Sequence, residues 1–262
     1  MHLEVNGKGV YAYTGAQALA PERAAVVFVH GAGQDHTVWH LQSRYLAYHG
    51  RNVLAPDLPA HGGSEGPPLP TVGDMADWIP RLLDAAELAE AGLVGHSMGA
   101  LVVLEAAARH PDRVNALALL SIAAPMPVHE QLLAAAQANE HAAFDMVTLW
   151  GHGDGARVGG NPSPGMWMTG SGVRLLERSR PGVLYNDLRA CSNYADGVQS
   201  AARVTCPVLI LLGERDLMTP PRAARDVVEA LANAETVVLP DCGHMLMTEG
   251  PDAVLNALIR FV

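Results

Sequence analysis

Gly92-Leu93-Val94-Gly95-His96-Ser97-Met98-Gly99-Ala100-Leu101-Val102-Val103-Leu104 holds the most informative local pattern in the chain. Its opening Gly92–Val94 is a short apolar run that suits a buried strand. From Met98 to Arg109 the chain is apolar almost all round, with Leu101, Val102, Val103 and Leu104 leading to Ala106, Ala107 and Ala108. A helix without a polar face belongs at the centre of a core. Gly95-His96-Ser97-Met98-Gly99 joins the two, and this strand–turn–helix context is the one a G-x-S-x-G nucleophile elbow requires. Glycines on either side let strand and helix approach, so Ser97 Oγ stands clear of the sheet. The Met98 amide opens the helix with an unsatisfied N–H, which can donate to a developing oxyanion.

On both sides of this segment, strand-like runs recur at Ala25–Val29, Asn52–Ala55, Val114–Leu120, Val208–Leu212 and Thr236–Leu239. Continuous apolar strands predict burial on both faces, as in a parallel sheet covered by helices. Helical segments fall between them, near Val38–His49, Val72–Ala89, Arg222–Ala232 and Pro251–Phe261. That alternation predicts an open α/β sheet. Leu3–Val5 and Val10–Tyr13 flank Asn6-Gly7-Lys8-Gly9, a hairpin signal because Asn and Gly accept positive φ. The alternation breaks once, between Pro125 and Ala202. Here lie a helical stretch (Val128–Trp150), a glycine-rich stretch (Gly151–Gly172) and further helical turns. We read residues 125–202 as a helical cap inserted into a sheet domain made of residues 1–124 and 203–262.

Composition narrows the partners. Lys+Arg 17 against Asp+Glu 27 leave a net charge of −10, which repels a phosphate backbone or an anionic membrane. No run approaches the roughly 18 apolar residues of a membrane span. No basic segment followed by an apolar one opens the chain, so no signal peptide is expected. Cys191, Cys206 and Cys242 are odd in number and lack metal-type spacing, which suits buried thiols in a reducing compartment. A cytoplasmic protein without a metal is expected.

A serine nucleophile needs a base held in place. Gly213-Glu214-Arg215-Asp216 ends the strand Val208–Leu212, and Asp241-Cys242-Gly243-His244 ends the strand Thr236–Leu239. Ser97, Asp216 and His244 each sit just past the carboxyl end of a parallel strand, the edge where open α/β sheets place their sites. Asp216 competes with Glu214 as the acid that orients His244; Glu214 directly follows Gly213, and Asp216 is preferred. The strand before the cap ends in Ser121-Ile122-Ala123-Ala124 and offers no carboxylate there. His30-Gly31-Ala32-Gly33 closes the strand Ala25–Val29, and its glycines let backbone approach a ligand. The Ala32 amide is the candidate second oxyanion donor beside Met98. His30 reads as a scaffold residue of that loop.

These pieces, with Asp57-Leu58-Pro59-Ala60-His61-Gly62-Gly63-Ser64 and Trp39, resemble the α/β-hydrolase fold superfamily, in its compact bacterial form with a helical cap. They run in that family's order from about residue 25 to 245. One departure is Ala60, where a glycine usually precedes the histidine of this loop. The resemblance implies an eight-stranded, mostly parallel sheet, Ser97 as nucleophile, His244 as base and Asp216 as its orienter. A serine at the elbow sets the chain apart from the aspartate-dependent dehalogenases and epoxide hydrolases of this fold. The resemblance leaves esterases, lactonases, thioesterases, carbon–carbon bond hydrolases and cofactor-free perhydrolases open; among these we expect a carboxylic ester hydrolase of short to medium acyl esters, without cofactor, as a monomer or small homo-oligomer. A carbon–carbon bond or lactone hydrolase is the runner-up, and a slow-turnover ligand receptor is the alternative of another class.

In the cap, Phe144, Met146, Val147, Leu149 and Trp150, with Met166, Trp167 and Met168, can line an adaptable apolar pocket. They read equally as ordinary cap core. Met146, Trp150 and Trp167, with His30 and Gly31 across from them, are the candidate substrate contacts. Arg157, Arg174, Arg178 and Arg180 are the cap cations; one of them reaching the pocket would favour a substrate with a free carboxylate.

Overall fold

The structure is a computed structural model and describes residues 1–160 and 166–262. Residues 161–165, part of the glycine-rich stretch, lie outside the described residues. Strands β1 (His2–Val5), β2 (Lys8–Tyr13), β3 (Ala25–Val29), β4 (Asn52–Pro56), β5 (Ala91–His96), β6 (Val114–Leu120), β7 (Val208–Gly213) and β8 (Ala234–Leu239) form one sheet in the order β1-β2-β4-β3-β5-β6-β7-β8. β1 and β2 pair antiparallel, and β2 pairs antiparallel with β4. Every pairing from β4 to β8 is parallel. The β1–β2 turn is made by Asn6 and Gly7, both at positive φ, as the hairpin signal predicts.

Helices α1 (His40–Tyr48), α2 (Val72–Ala85) and α3 (Met98–Arg109) fall between strands of the first half. The expected helix over Val38–His49 is split: His36–Trp39 is a 3-10 turn, capped by Asp35, which accepts from the Thr37 amide. Between β6 and β7 lie α4 (Glu130–Gln137), α5 (His141–Gly151), α6 (Asp154–Arg157), α7 (Met168–Glu177), α8 (Val183–Asn193) and α9 (Gly197–Ala201). The helical stretch Val128–Trp150 therefore contains two helices, broken where Asn139 takes φ 54°. α10 (Arg225–Ala230), α11 (Leu246–Glu249) and α12 (Pro251–Phe261) complete the chain. Among the described residues no helix is long and apolar enough to cross a membrane.

The sheet separates two cores, and alternation along each central strand feeds both. Val27 and Val29 face one core with α2 and α3, while Val26 and Phe28 face the other with α1 and α12. Residues Met98–Ala107 of α3 are all buried, as a helix without a polar face requires. Even its Glu105 is buried, and it accepts from Tyr194 Oη at 2.5 Å and from Ser200 Oγ. Burial on both faces fails at β8, where Val238 is 48% exposed, because an edge strand has a neighbour on one side only.

Candidate active site

The Ser97 turn is built by excluding β-carbons. A β-carbon at Gly95 would overlap the carbonyl of Gly99, and one at Gly99 would overlap the carbonyl of Val29. Only with glycine at both positions can β5, α3 and β3 close on one another. Ser97 itself takes φ 54° and ψ −117°. That backbone costs a non-glycine residue on the order of 1–3 kcal/mol and persists only where surroundings impose it. Here the Ser97 amide donates to the Leu120 carbonyl at 2.9 Å, and the Ser97 carbonyl accepts from Ala100.

Past β7, Asp216 is fixed by its own turn. Its Oδ1 accepts from the Met218 and Thr219 amides, both at 2.8 Å. Its Oδ2 accepts from His244 Nδ1 at 2.8 Å and from Thr219 Oγ1 at 2.7 Å. Burial alone would raise the Asp216 pKa; the nearby His244 charge and these hydrogen bonds outweigh it and hold the carboxyl well below the usual carboxylate range. Glu214, half-exposed, instead accepts from the Asp241 amide at 3.2 Å. With Nδ1 of His244 given to Asp216, Nε2 is the ring nitrogen left for a reacting group. No hydrogen bond joins it to Ser97 among the described residues, but both side chains line one cavity.

The loop carrying His244 is held from several sides. Its carbonyl accepts from His96 Nε2 and from Ser121 Oγ, both at 2.9 Å. Glu249 brackets it by accepting from the Gly243 and Met245 amides, and also from Gly153 beyond α5. Burial and the His244 charge push His96 down to about 3, so it is neutral.

The His30–Gly33 loop lies across the cavity. The Gly31 amide donates to Gln34 Oε1 at 3.1 Å and the Gly33 amide to Asp187 Oδ2 at 2.9 Å. The Ala32 amide between them has no protein acceptor among the described residues, and neither has that of Met98. His30 is fully buried: Nδ1 donates to the Gly31 carbonyl and Nε2 accepts from the Leu58 amide. Although a candidate substrate contact, it is not among the residues lining the cavity, and burial together with His61 pushes it down to about 4.

The cavity measures about 410 Å³. Ala32, His96, Ser97 and His244 meet an apolar wall of Met126, Val128, Leu132, Val147, Trp150, Leu184, Leu188 and Met218. Of the candidate substrate contacts, Gly31 and Trp150 line it. Met146 packs instead with Leu132 and Ala143 in the core of the helical segment. Trp167 is 71% exposed and lines a separate groove with His40 and Arg174. No arginine or lysine is in the cavity wall among the described residues. Arg178 pairs with Asp35, Arg174 with Glu177 and Arg157 with Asp154, while Arg180 donates to the Ser64 carbonyl.

Among the described residues, Asp35, His36 and Asp57 form the one cluster with metal-type ligands. Its atoms already serve one another and the chain: Asp57 Oδ1 accepts from the His36 ring and amide, and Asp35 holds Thr37 and Arg178. Sequence reasoning passed over Thr219, Ser121, Gln34, Glu249 and Asp187. Thr219 alone carried a signal, lying three residues after an aspartate in a turn.

A family model described as the alpha/beta hydrolase family matches residues 26–257. The chain is 32% identical over 230 residues to a pimeloyl-[acyl-carrier protein] methyl ester esterase from Chromobacterium violaceum, covering 84% of this chain and 86% of that protein. It is 30% identical over 248 residues to a dihydrolipoyllysine-residue acetyltransferase component of an acetoin cleaving system from Pseudomonas putida. That match covers 90% of this chain but only 63% of the relative's length. The crystal structure of the enol-lactonase from Burkholderia xenovorans LB400 superposes with a TM-score of 0.87 at 24% identity, over 100% of this chain and 99% of that one. At that identity the likeness concerns the fold.

Proposed function

The chain belongs to the alpha/beta hydrolase family, and we propose that within it this protein is a serine hydrolase that cleaves uncharged carboxylic esters of short to medium acyl chains. One observation carries the reading: Ser97 on its strained turn, the Asp216-held His244 and Ala32 line one apolar cavity, and the amides of Ala32 and of Met98, next to Ser97, have no protein acceptor among the described residues.

In this reading His244 Nε2 takes the Ser97 proton as Oγ attacks the ester carbonyl. The Ala32 and Met98 amides receive the oxyanion. The C–O bond to the alcohol breaks, His244 returns its proton to the departing alcohol, and acyl-Ser97 remains. Water then attacks the acyl carbon and gives a proton to His244. The acid leaves as that proton returns to Ser97 Oγ. Asp216 holds the Nδ1–H tautomer and stabilises the imidazolium. Helices α4–α9 serve as the cap, closing the cavity with Leu132, Val147, Trp150, Leu184 and Leu188.

The cavity wall favours an ester over a carbon–carbon bond substrate with a free carboxylate, because no arginine or lysine meets that carboxylate among the described residues of the wall. A lactone is an internal ester and is open to the same chemistry. The presence of nucleophile, base and acid together argues for turnover over a receptor role. The test is steady-state hydrolysis of nitrophenyl esters from acetyl to long acyl, by wild type and Ser97→Ala together. Fast, Ser97-dependent turnover that falls off for long chains is expected. Absence of turnover on every ester by the folded protein contradicts the reading.

A further inference from the structure

We infer that Asp187, on α8, is a positioning residue that sets the direction of the Ala32 amide by holding the amide next to it, with His61 completing the clamp. The inference rests on the serine-hydrolase reading above, in which Ala32 donates to the oxyanion.

Asp187 is fully buried, and the partners of its Oδ2 lie far from it in sequence. Oδ2 accepts from the Gly33 amide at 2.9 Å and from His61 Nε2 at 2.8 Å. Oδ1 accepts from Asn186 Nδ2 at 3.3 Å. On the other side of Ala32, Gln34 Oε1 holds the Gly31 amide. The outer two of three successive amides therefore end on fixed acceptors, and the middle one has none among the described residues. Peptide units are planar, so fixing both neighbours restricts the plane that carries the Ala32 N–H. Gln34 belongs to the same loop; Asp187 belongs to the helical segment and so couples that segment to the oxyanion site. Close packing supports the coupling: a β-carbon at Gly33, which takes φ +67°, would meet Leu184 and Leu176 at 3.0 and 3.1 Å.

His61 makes the clamp ionic. Its Nε2 faces a carboxylate and its Nδ1 faces the Pro59 carbonyl at 3.1 Å, both acceptors, so both ring nitrogens carry protons. The His30 ring stands 4.7 Å away and is neutral, with Asp57 acting on it from the end of β4. Asp187 is thus the charge that answers the imidazolium. Deprotonation of His61 takes the Nδ1 proton, which faces only the Pro59 carbonyl, and leaves an uncharged Nε2–H on Asp187 Oδ2, so the clamp loses its ionic part.

The test compares wild type, Asp187→Ala and Asp187→Asn on a short nitrophenyl ester, with Ser97→Ala as the reference for turnover, and follows amide hydrogen exchange at residues 31–34. Loss of an oxyanion donor costs about 10²–10³ in kcat. Displacing one by removing the clamp is expected to lower kcat about 10- to 100-fold in Asp187→Ala, with KM changed less than about threefold. The Gly33 amide then exchanges faster. In Asp187→Asn an amide oxygen in the place of Oδ2 can still accept from Gly33 and from the Nε2–H of neutral His61. Wild-type kcat is expected to decline at alkaline pH as His61 loses its charge; Asp187→Asn is expected to keep kcat within about fivefold and to lose that decline. Wild-type kcat in Asp187→Ala, or a Gly33 amide still protected there, overturns the inference. Should Asp187→Ala not fold, an alkaline decline unchanged in Asp187→Asn overturns it. Ester hydrolysis independent of Ser97 defeats the serine-hydrolase reading instead, and the Gly33 exchange still decides whether Asp187 holds the loop.

Discussion

His96, the residue before Ser97, gives its Nε2 proton to the backbone carbonyl of His244 over 2.9 Å. The neighbour of the proposed nucleophile thus holds the backbone of the proposed base directly, and Ser121 Oγ just past β6 holds the same carbonyl. Replacing His96 by Phe keeps most of the packing and removes one of the two donors. A stability loss of about 1 kcal/mol is expected from chemical denaturation. A roughly 3- to 30-fold fall in kcat with little change in KM is expected from the displaced base. An unchanged kcat would show that Ser121 alone suffices to place His244.

Ser97→Ala removes the proposed nucleophile and leaves the cavity and the amides of Ala32 and Met98 in place. Turnover on the best nitrophenyl ester is expected to fall by on the order of 10⁴-fold or more. Thermal stability should rise or hold, since alanine has no hydroxyl to desolvate. A Ser97→Ala protein with near-normal hydrolysis sinks the nucleophile assignment.

Asp216→Asn keeps the shape of the turn but takes away the charge that fixes the His244 tautomer. A loss of kcat on the order of 10³–10⁴-fold is expected, measured against KM on the same ester. Because its pKa is lowered, Asp216 contributes stability above the ordinary carboxylate range, lost only as pH falls through the lowered value. The acid limb of the wild-type rate profile is therefore not the titration of Asp216. An acid limb that vanishes in Asp216→Asn with kcat intact would refute this.

Gly95→Ala and Gly99→Ala each put a β-carbon into backbone that cannot give way. Each is expected to cost more than about 3 kcal/mol, above the usual penalty for overpacking a core. Far lower yields of folded protein, or a greatly reduced denaturation midpoint, are the expected readout. Wild-type midpoints would mean that β5 and α3 have room to separate.

The His61–Asp187 pair gives stability a pH dependence of defined sign. Burial opposes the His61 charge, but the Asp187 charge and the hydrogen bonds to it outweigh burial and raise the pKa. A raised folded-state value adds stability that is complete below the unfolded histidine value of about 6.5 and is lost as pH rises through the folded value. Thermal unfolding of wild type and His61→Gln is expected to show a wild-type Tm advantage that shrinks as pH rises from neutral. A gap independent of pH contradicts the ionic pair.

The strands, most helices and the order Ser97, Asp216, His244 were legible in the sequence because they depend on local signals. Apolar runs mark β3 and β5 to β7, and the absence of any polar face marks α3 as central. A Gly-x-Ser-x-Gly turn between strand and helix needs only nearest neighbours to be recognised. Local signals also misplaced some boundaries: the Val128–Trp150 stretch hid the break at Asn139, whose positive φ leaves little trace in composition. Contacts between groups remote in the chain came from the folded arrangement alone. Folding selected Val147 and Trp150 over Met146 and Trp167 for the cavity wall, because the tilt of each helix determines which of its apolar faces meets the opening. It also put Asp187 on the Gly33 amide and His96 on the His244 carbonyl. A carboxylate in a helix and a histidine beside a serine carry no record in sequence of their partners, since a hydrogen bond across the fold depends on where two backbones pass and not on what lies next to either.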